Sequence, residues 1–351
     1  MVFRLAVVSL LAIVAARAEW NPQLAASFLD ERQAAWFQWP QANSASGVCL
    51  SCHTGLPYLL ARPVLRTFGG EKAPTRYETG LLDDVRRRLL SAGGTANSFA
   101  AAAAPAEPVL AVLVLAARDA RQGLLSKDTE KAFERLWAVQ IKEGPAKGAW
   151  TWMNVDHDPF GAPDSQYWGA AMAALAVGTA PGDYQSRAEI QRNLDALKAY
   201  LTLQPRGSQQ SAQPLHNRLA LVWASTSLRG LLKNSDRKEI VKEALQKQQD
   251  DGGWTLESIG PWPRHANAPP AQGSNAYATG LTAFVLERAG ASRRDPKMQR
   301  ALEWLVAHQD GQRGFWDAQS MNKRYEPASI EAEFMRDVAT SFAVLALAEA
   351  R

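Results

Sequence analysis

The chain has 351 residues, 46% hydrophobic and 21% charged, with 24 Gly, 19 Pro and 2 Cys, which excludes collagen-like, disordered and disulfide-dense classes. At roughly 150 residues per domain the length alone allows about two domains. The net charge is only +4, and no basic block stands out except Arg86-Arg87-Arg88, so nucleic acid is not an expected partner. The 12 tryptophans exceed what an ordinary core needs and call for a structural account.

Met1 to Ala18 reads as a secretory signal. Arg4 supplies the positive start, Leu5–Val14 is an apolar run too short to span a bilayer, and Ala16-Arg17-Ala18 is a small-x-small cleavage site. The expected mature chain, 19–351, is therefore exported, most simply to a bacterial periplasm. No later run of apolar residues suggests a stable membrane span.

Both cysteines lie in Cys49-Leu50-Ser51-Cys52-His53. This is the attachment pattern of c-type haem proteins, and it implies one covalent haem c held by Cys49 and Cys52, with His53 as proximal iron ligand. Two alternatives use the same residues: a redox dithiol, or a plain Cys49–Cys52 disulfide in an exported protein. Zinc is disfavoured because no second cysteine pair exists to close a tetrahedral site.

Further along, an apolar helical stretch ending on Gln recurs roughly every 45–65 residues, a spacing that signals a helical repeat array. The copies are Ala132–Gln140, Ala196–Gln204, Val241–Gln249 and Ala301–Gln309. Three are followed by Gly-x-Trp, at Gly148–Trp150, Gly252–Trp254 and Gly314–Trp316, whereas the second keeps Gln204 and Gly207 but no Trp. After each comes a more apolar, Ala- and Gly-rich helix: Gln166–Val177, Asn217–Leu232, Asn275–Arg288 and Val338–Ala350. Helices apolar nearly all round are buried on most sides, and those with one charged face lie outside. Thr75–Ala92 with Glu107–Ala120, and Pro22–Phe37 with Val48–Leu65, extend the scheme. The expectation is an all-α fold: an α/α toroid of six outer–inner hairpins forming one domain over 19–351. Residues 19–70 form the first hairpin, with the haem-type motif, and 128–351 carry the clearest repeats.

The Gln and Gly-x-Trp elements resemble the QW repeats of squalene–hopene cyclases and related prenyltransferase-type toroids, over roughly residues 128 to 351. The resemblance implies structural roles for Gln140 with Trp150, Gln248 with Trp254, and Gln309 with Trp316. It does not extend to the cyclase acid. The nearest approximation to Asp-x-Asp-Asp is Asp156-His157-Asp158, which lacks the second adjacent Asp. Fold alone does not give function.

If each outer helix end, long loop and inner helix start share one end of the toroid, the Cys-His motif falls at the mouth of a central cavity. Its sixth iron ligand would come from His157 first, then His265 or His216, then Met153 or Met321; His308 is expected to be structural. Arg62 is the candidate for a haem propionate, with solvated helix charge as the alternative. Tyr58, Trp168, Trp223, Tyr277 and Phe342 would either line an apolar cavity for a terpenoid-like ligand or simply pack. Asp164 and Asn275 are expected to be helix N-caps. The functional expectation is an exported haem protein with a redox role and an unidentified redox partner. The alternatives are an enzyme acting on an apolar substrate in the cavity, by cyclase-like or haem-dependent chemistry, and a binding toroid with a Cys49–Cys52 disulfide.

Overall fold

The computed structural model describes residues 19–90, 98–203 and 213–349. The expected signal segment, Gln204 and Gly207 lie outside these residues. Fourteen helices are described: α1 (Pro22–Gln38), α2 (Gly55–Gly69), α3 (Arg76–Leu90), α4 (Ser98–Ala103), α5 (Glu107–Gln122), α6 (Lys127–Ala138), α7 (Ser165–Thr179), α8 (Gln191–Leu203), α9 (Leu215–Ser225), α10 (Asn234–Gln246), α11 (Leu256–Ile259), α12 (Ala276–Arg288), α13 (Pro296–Ala307) and α14 (Phe334–Glu349). Among the described residues the only sheet is a two-residue pair, Asn43–Ser44 against Gly47–Val48.

Six helices form an inner ring. α2 packs on α5, α5 on α7, α7 on α9, α9 on α12 and α12 on α14, and α14 returns to α2. The outer layer is α1, α3, α6, α8, α10 and α13. The expected α/α toroid of six hairpins is what forms. Burial explains the sorting. On α7 every residue from Tyr167 to Val177 is buried, whereas α6 buries only Thr129, Ala132, Phe133, Leu136 and Trp137. α6 also carries the signals of an isolated outer helix: a Ser126 N-cap accepting from the Thr129 N–H, acids in its first turn and Arg135 in its last. The apolar stretch Ala101–Gln122 is long enough to cross a membrane by composition, yet its Val109–Ala116 segment is buried in the inner ring.

The tryptophans repeat one device three times. The indole N–H groups of Trp150, Trp254 and Trp316 donate back to the carbonyls of Leu136, Ala244 and Leu305 at 2.8, 2.8 and 2.6 Å, satisfying late carbonyls of the preceding outer helix. The amides of Gln140, Gln248 and Gln309 each donate to two carbonyls. One is local, Gly148, Gly252 or Gly314; the other starts the next outer helix, Asn193, Lys297 or Asn21. The glycines are required. Each has positive φ, and a Cβ on Gly148 would lie 2.1 Å from the Ala196 carbonyl oxygen.

The third copy closes the circle, because Gln309 also accepts the Asn21 N–H at 2.6 Å. A second closure lies deeper. Arg32 of α1 donates to both carboxylate oxygens of Asp337 on α14, at 2.6 and 3.2 Å, and Thr54 donates to the same carboxylate at 2.7 Å.

Aromatic side chains of the inner helices pack against one another at the toroid centre, which is the packing alternative for these residues. Trp223 packs edge-on to Phe284 at 5.1 Å and to Phe342 at 6.1 Å, and Tyr277 packs edge-on to Phe342 at 5.6 Å. Tyr58 turns away from the centre, its hydroxyl bonded to Asp30 and Thr75.

Candidate functional site

The haem expected at Cys49, Cys52 and His53 does not fit, and that reading is corrected. A porphyrin needs an open slab beside both thiols and above the imidazole. Here the thiols belong to the core, at 5% and 7% exposure, and burial pushes them up to about 11 and about 12. The His53 ring is stacked on Phe334 with centroids 4.0 Å apart, meets Trp36 edge-on at 5.9 Å, and has Nδ1 2.9 Å from the Thr54 hydroxyl. Burial, aided by the nearby Arg32, drives its pKa down to about 3. None of three surface clefts, of about 260, 930 and 300 Å³, is lined by these residues. Among the described residues no group of three or more His, Cys, Asp or Glu could hold a metal. The cysteines are free thiols, so the disulfide alternative is corrected as well. Arg62 takes no propionate role: it is ion-paired with Asp30 and Glu71, both at 2.9 Å. His308 is structural, stacked on Trp304 at 3.8 Å.

The inner-helix starts meet at one end of the ring, and three segments roof it: 150–164, 260–275 and 317–325. The first folds on itself. Trp152 donates to the Phe160 carbonyl, Gly161 and His157 form a short bridge, and His157 Nδ1 lies 2.8 Å from the Val155 carbonyl. Phe160 is thereby set over the axis as a plug, its ring 5.2 Å from Trp168, 5.7 Å from Tyr277 and 5.9 Å from His216. Beneath it His216, fully buried, has Nε2 2.7 Å from the Tyr277 hydroxyl. Burial lowers its pKa to about 4, so it is neutral at physiological pH.

Two carboxyl groups flank the plug. Asp158 lies in the middle of the first roof segment and Asp164 ends it, just before α7. Both are held above the usual carboxylate range, first by burial; for Asp158 the charge of Asp164 adds to the effect. His265, on the second roof segment, brings Nε2 to 3.8 Å from Asp158 Oδ2. Asp164 stands where an N-cap would, but its side chain makes no capping hydrogen bond, and Oδ1 is buried without a partner of ordinary geometry. Trp262 beside this carboxyl pulls its pKa partly back, with its indole N–H buried and without a hydrogen bond of ordinary geometry. Asn275 does cap, accepting from the Tyr277 and Ala278 N–H groups at 3.0 and 3.2 Å. His157 and His265 thus belong to this roof cluster, and Met321 is buried under it. The cleft of about 260 Å³ opens beside the roof, lined in part by Glu257, Arg264, Asn275, Trp304 and Gln319.

Sequence reasoning noted Asp158 only as an incomplete cyclase motif and Asp164 only as a cap. The usable signal was their density: two acids six residues apart, in a loop bracketed by Trp152 and Trp168.

No family profile matches the chain, and no curated protein matches it in sequence. Solved structures do. A glycosidase in complex with glucose superposes with a TM-score of 0.50 at 13% identity, over 94% of this chain and 98% of its own. A second glycosidase structure gives 0.49 at 13% identity over the same shares. A glycosyl hydrolase family 88 protein from Bacteroides vulgatus gives 0.38 at 13% identity, over 95% of this chain and 92% of its own. At this identity the likeness is one of fold. The QW elements point to cyclase- and prenyltransferase-type toroids; the solved toroids named here that superpose on the chain are glycosidases and a glycosyl hydrolase instead.

Proposed function

We propose that this protein is a carbohydrate-active enzyme that cleaves a glycosidic bond at the roofed end of the toroid. The observation that carries the reading is the pair of roof carboxyls, Asp158 and Asp164, each raised and the first partly by the second. Glycoside hydrolysis uses two carboxyl groups, one protonated to donate to the leaving oxygen and one ionised to stabilise or attack the sugar carbon. Two carboxyls coupled by charge separate into such roles, because one proton suppresses the loss of the other. Asp158, raised by burial and by the charge of Asp164, is the proton donor in this scheme; Asp164 is the ionised partner. The fold neighbour that binds glucose supports the substrate class. The expected signal segment adds export, and a periplasmic site of action completes the proposal; a mature N-terminus at Glu19 would be its mark.

The test is hydrolysis of a panel of oligosaccharides and aryl glycosides by the full chain, read by chromatography. Asp158→Asn and Asp164→Asn should each lower kcat by about 100-fold or more, as expected for loss of an acid or second carboxylate. An active wild type with both variants unimpaired would refute the assignment.

A further inference from the structure

Asp158 and His265 come from different roof segments, and at 3.8 Å neither holds the other in place. What holds both is the third segment, at 320–324. Ser320 shapes its turn, with Oγ accepting from the N–H of Asn322 at 3.1 Å and of Lys323 at 3.4 Å. The Met321 carbonyl accepts the His265 N–H at 3.0 Å, and the Arg324 N–H donates to the Asn267 carbonyl at 2.9 Å. That fixes the His265 side of the pair.

Asn322 fixes the other side. Its Oδ1 accepts the Asp158 N–H at 2.9 Å, and its Nδ2 donates to the Asp158 carbonyl at 2.8 Å. Asn322 is itself buried, at 8% exposure, so water competes little for these bonds. One primary amide that takes both backbone groups of one residue acts as a strand partner one residue long. It sets the plane of the Asp158 backbone and so the direction its side chain leaves. A primary amide offers a donor and an acceptor side by side on one planar group; an ionised Asp keeps the acceptors and loses the donor.

We propose that Asn322 is a positioning residue: its two-sided grip aims the Asp158 carboxyl between His265 and Asp164. The inference rests on the reading of Asp158 as the proton donor, but its direct test does not need a substrate. The charged and titratable groups facing Asp158 are Asp156 and His157 from its own loop, Asp164 before α7, and His265 from the second roof segment.

The experiment compares the wild-type chain with Asn322→Ala and Asn322→Asp. The Asp158 carboxyl is followed by carbon-13 NMR titration, its signal assigned with Asp158→Asn, and the Asp158 amide is followed by hydrogen exchange. With the grip lost, the carboxyl swings toward water. Its titration midpoint should fall toward that of an ordinary aspartate, and its amide should exchange at least about tenfold faster. Asn322→Asp should fall between, and it serves alone if the alanine variant does not fold. On a hydrolysed substrate, kcat should drop by about tenfold or more with KM little changed, and the alkaline limb of the pH profile should move to lower pH. An unchanged Asp158 midpoint and exchange rate in both variants overturns the positioning role, whatever the activity. If Asp158→Asn keeps full turnover, the assigned reaction fails instead, and the titration and exchange data still decide the role of Asn322.

Discussion

Replacing Arg32 by Met should destabilise the protein far more at pH 8 than at pH 5. Burial raises Asp337 from its ordinary 3.8 to about 6, even with Arg32 beside it. Above pH 6 the wild type therefore buries an ionised, paired carboxylate, at a cost of about 3 kcal/mol relative to water. Without Arg32 the carboxyl must stay neutral. Holding it neutral at pH 8 costs about 1.36 kcal/mol for each unit above 3.8, or about 6 kcal/mol. The difference, up to about 3 kcal/mol, is the electrostatic share of the loss at pH 8. At pH 5 the wild-type carboxyl is already mostly protonated, and that share shrinks to near zero. A loss of about 1 kcal/mol remains at either pH, because the Ile330 carbonyl forfeits its bond from Arg32. In the wild type itself the sign is the same: stability is gained as pH falls from 7 toward 4, as Asp337 takes up its proton. Urea unfolding of both proteins at both pH values is the assay. Equal losses at pH 5 and pH 8 would show that the buried pair does not carry this energy.

Three other outcomes are expected. Cys49 and Cys52 should resist a thiol reagent at pH 8 in the native protein and both react once it is unfolded in urea; rapid native labelling would contradict their burial. Trp254→Ala should lower unfolding free energy by about 3–5 kcal/mol, since a fully buried indole is removed and the Ala244 carbonyl loses its donor. Gly148→Ala should cost at least about 2 kcal/mol, because strain at φ +95° adds to a clash with Ala196. Gly144→Ala, at φ +74° with open space around it, should cost only about 1 kcal/mol. Thermal or chemical melts that rank these two glycines in the opposite order would break the packing argument.

The fold was legible because its signals are local and repeated. Helix periodicity, the recurrent Gln, and the Gly-x-Trp after it are properties of short windows, and the three copies that carry Gly-x-Trp repeat the same bonds in space. The site was less legible because it depends on cross-loop geometry. Nothing in the sequence near Asp158 announces that Asn322, 164 residues away, will grip its backbone. The Cys-x-x-Cys-His spacing misled for the same reason. Spacing sets how far apart the thiols and imidazole can sit, but Phe334 and Trp36, from other helices, determine whether the space between them is open. Asp164 shows the converse: its position before α7 matched a cap, yet its carboxyl faces the Trp262 side of the roof.

The grip of Gln309 on Asn21 also dictates an order of assembly. The N-cap of α1 must wait for the last hairpin, 288 residues later, before Gln309 can grip it. Until then Phe28, Leu29 and Trp36 present an unfinished apolar edge, ready to pair with a stray chain. Once α13 and α14 arrive, the array has no terminal repeat at all. It then needs none of the polar end units with which open helical repeats shield their last exposed face.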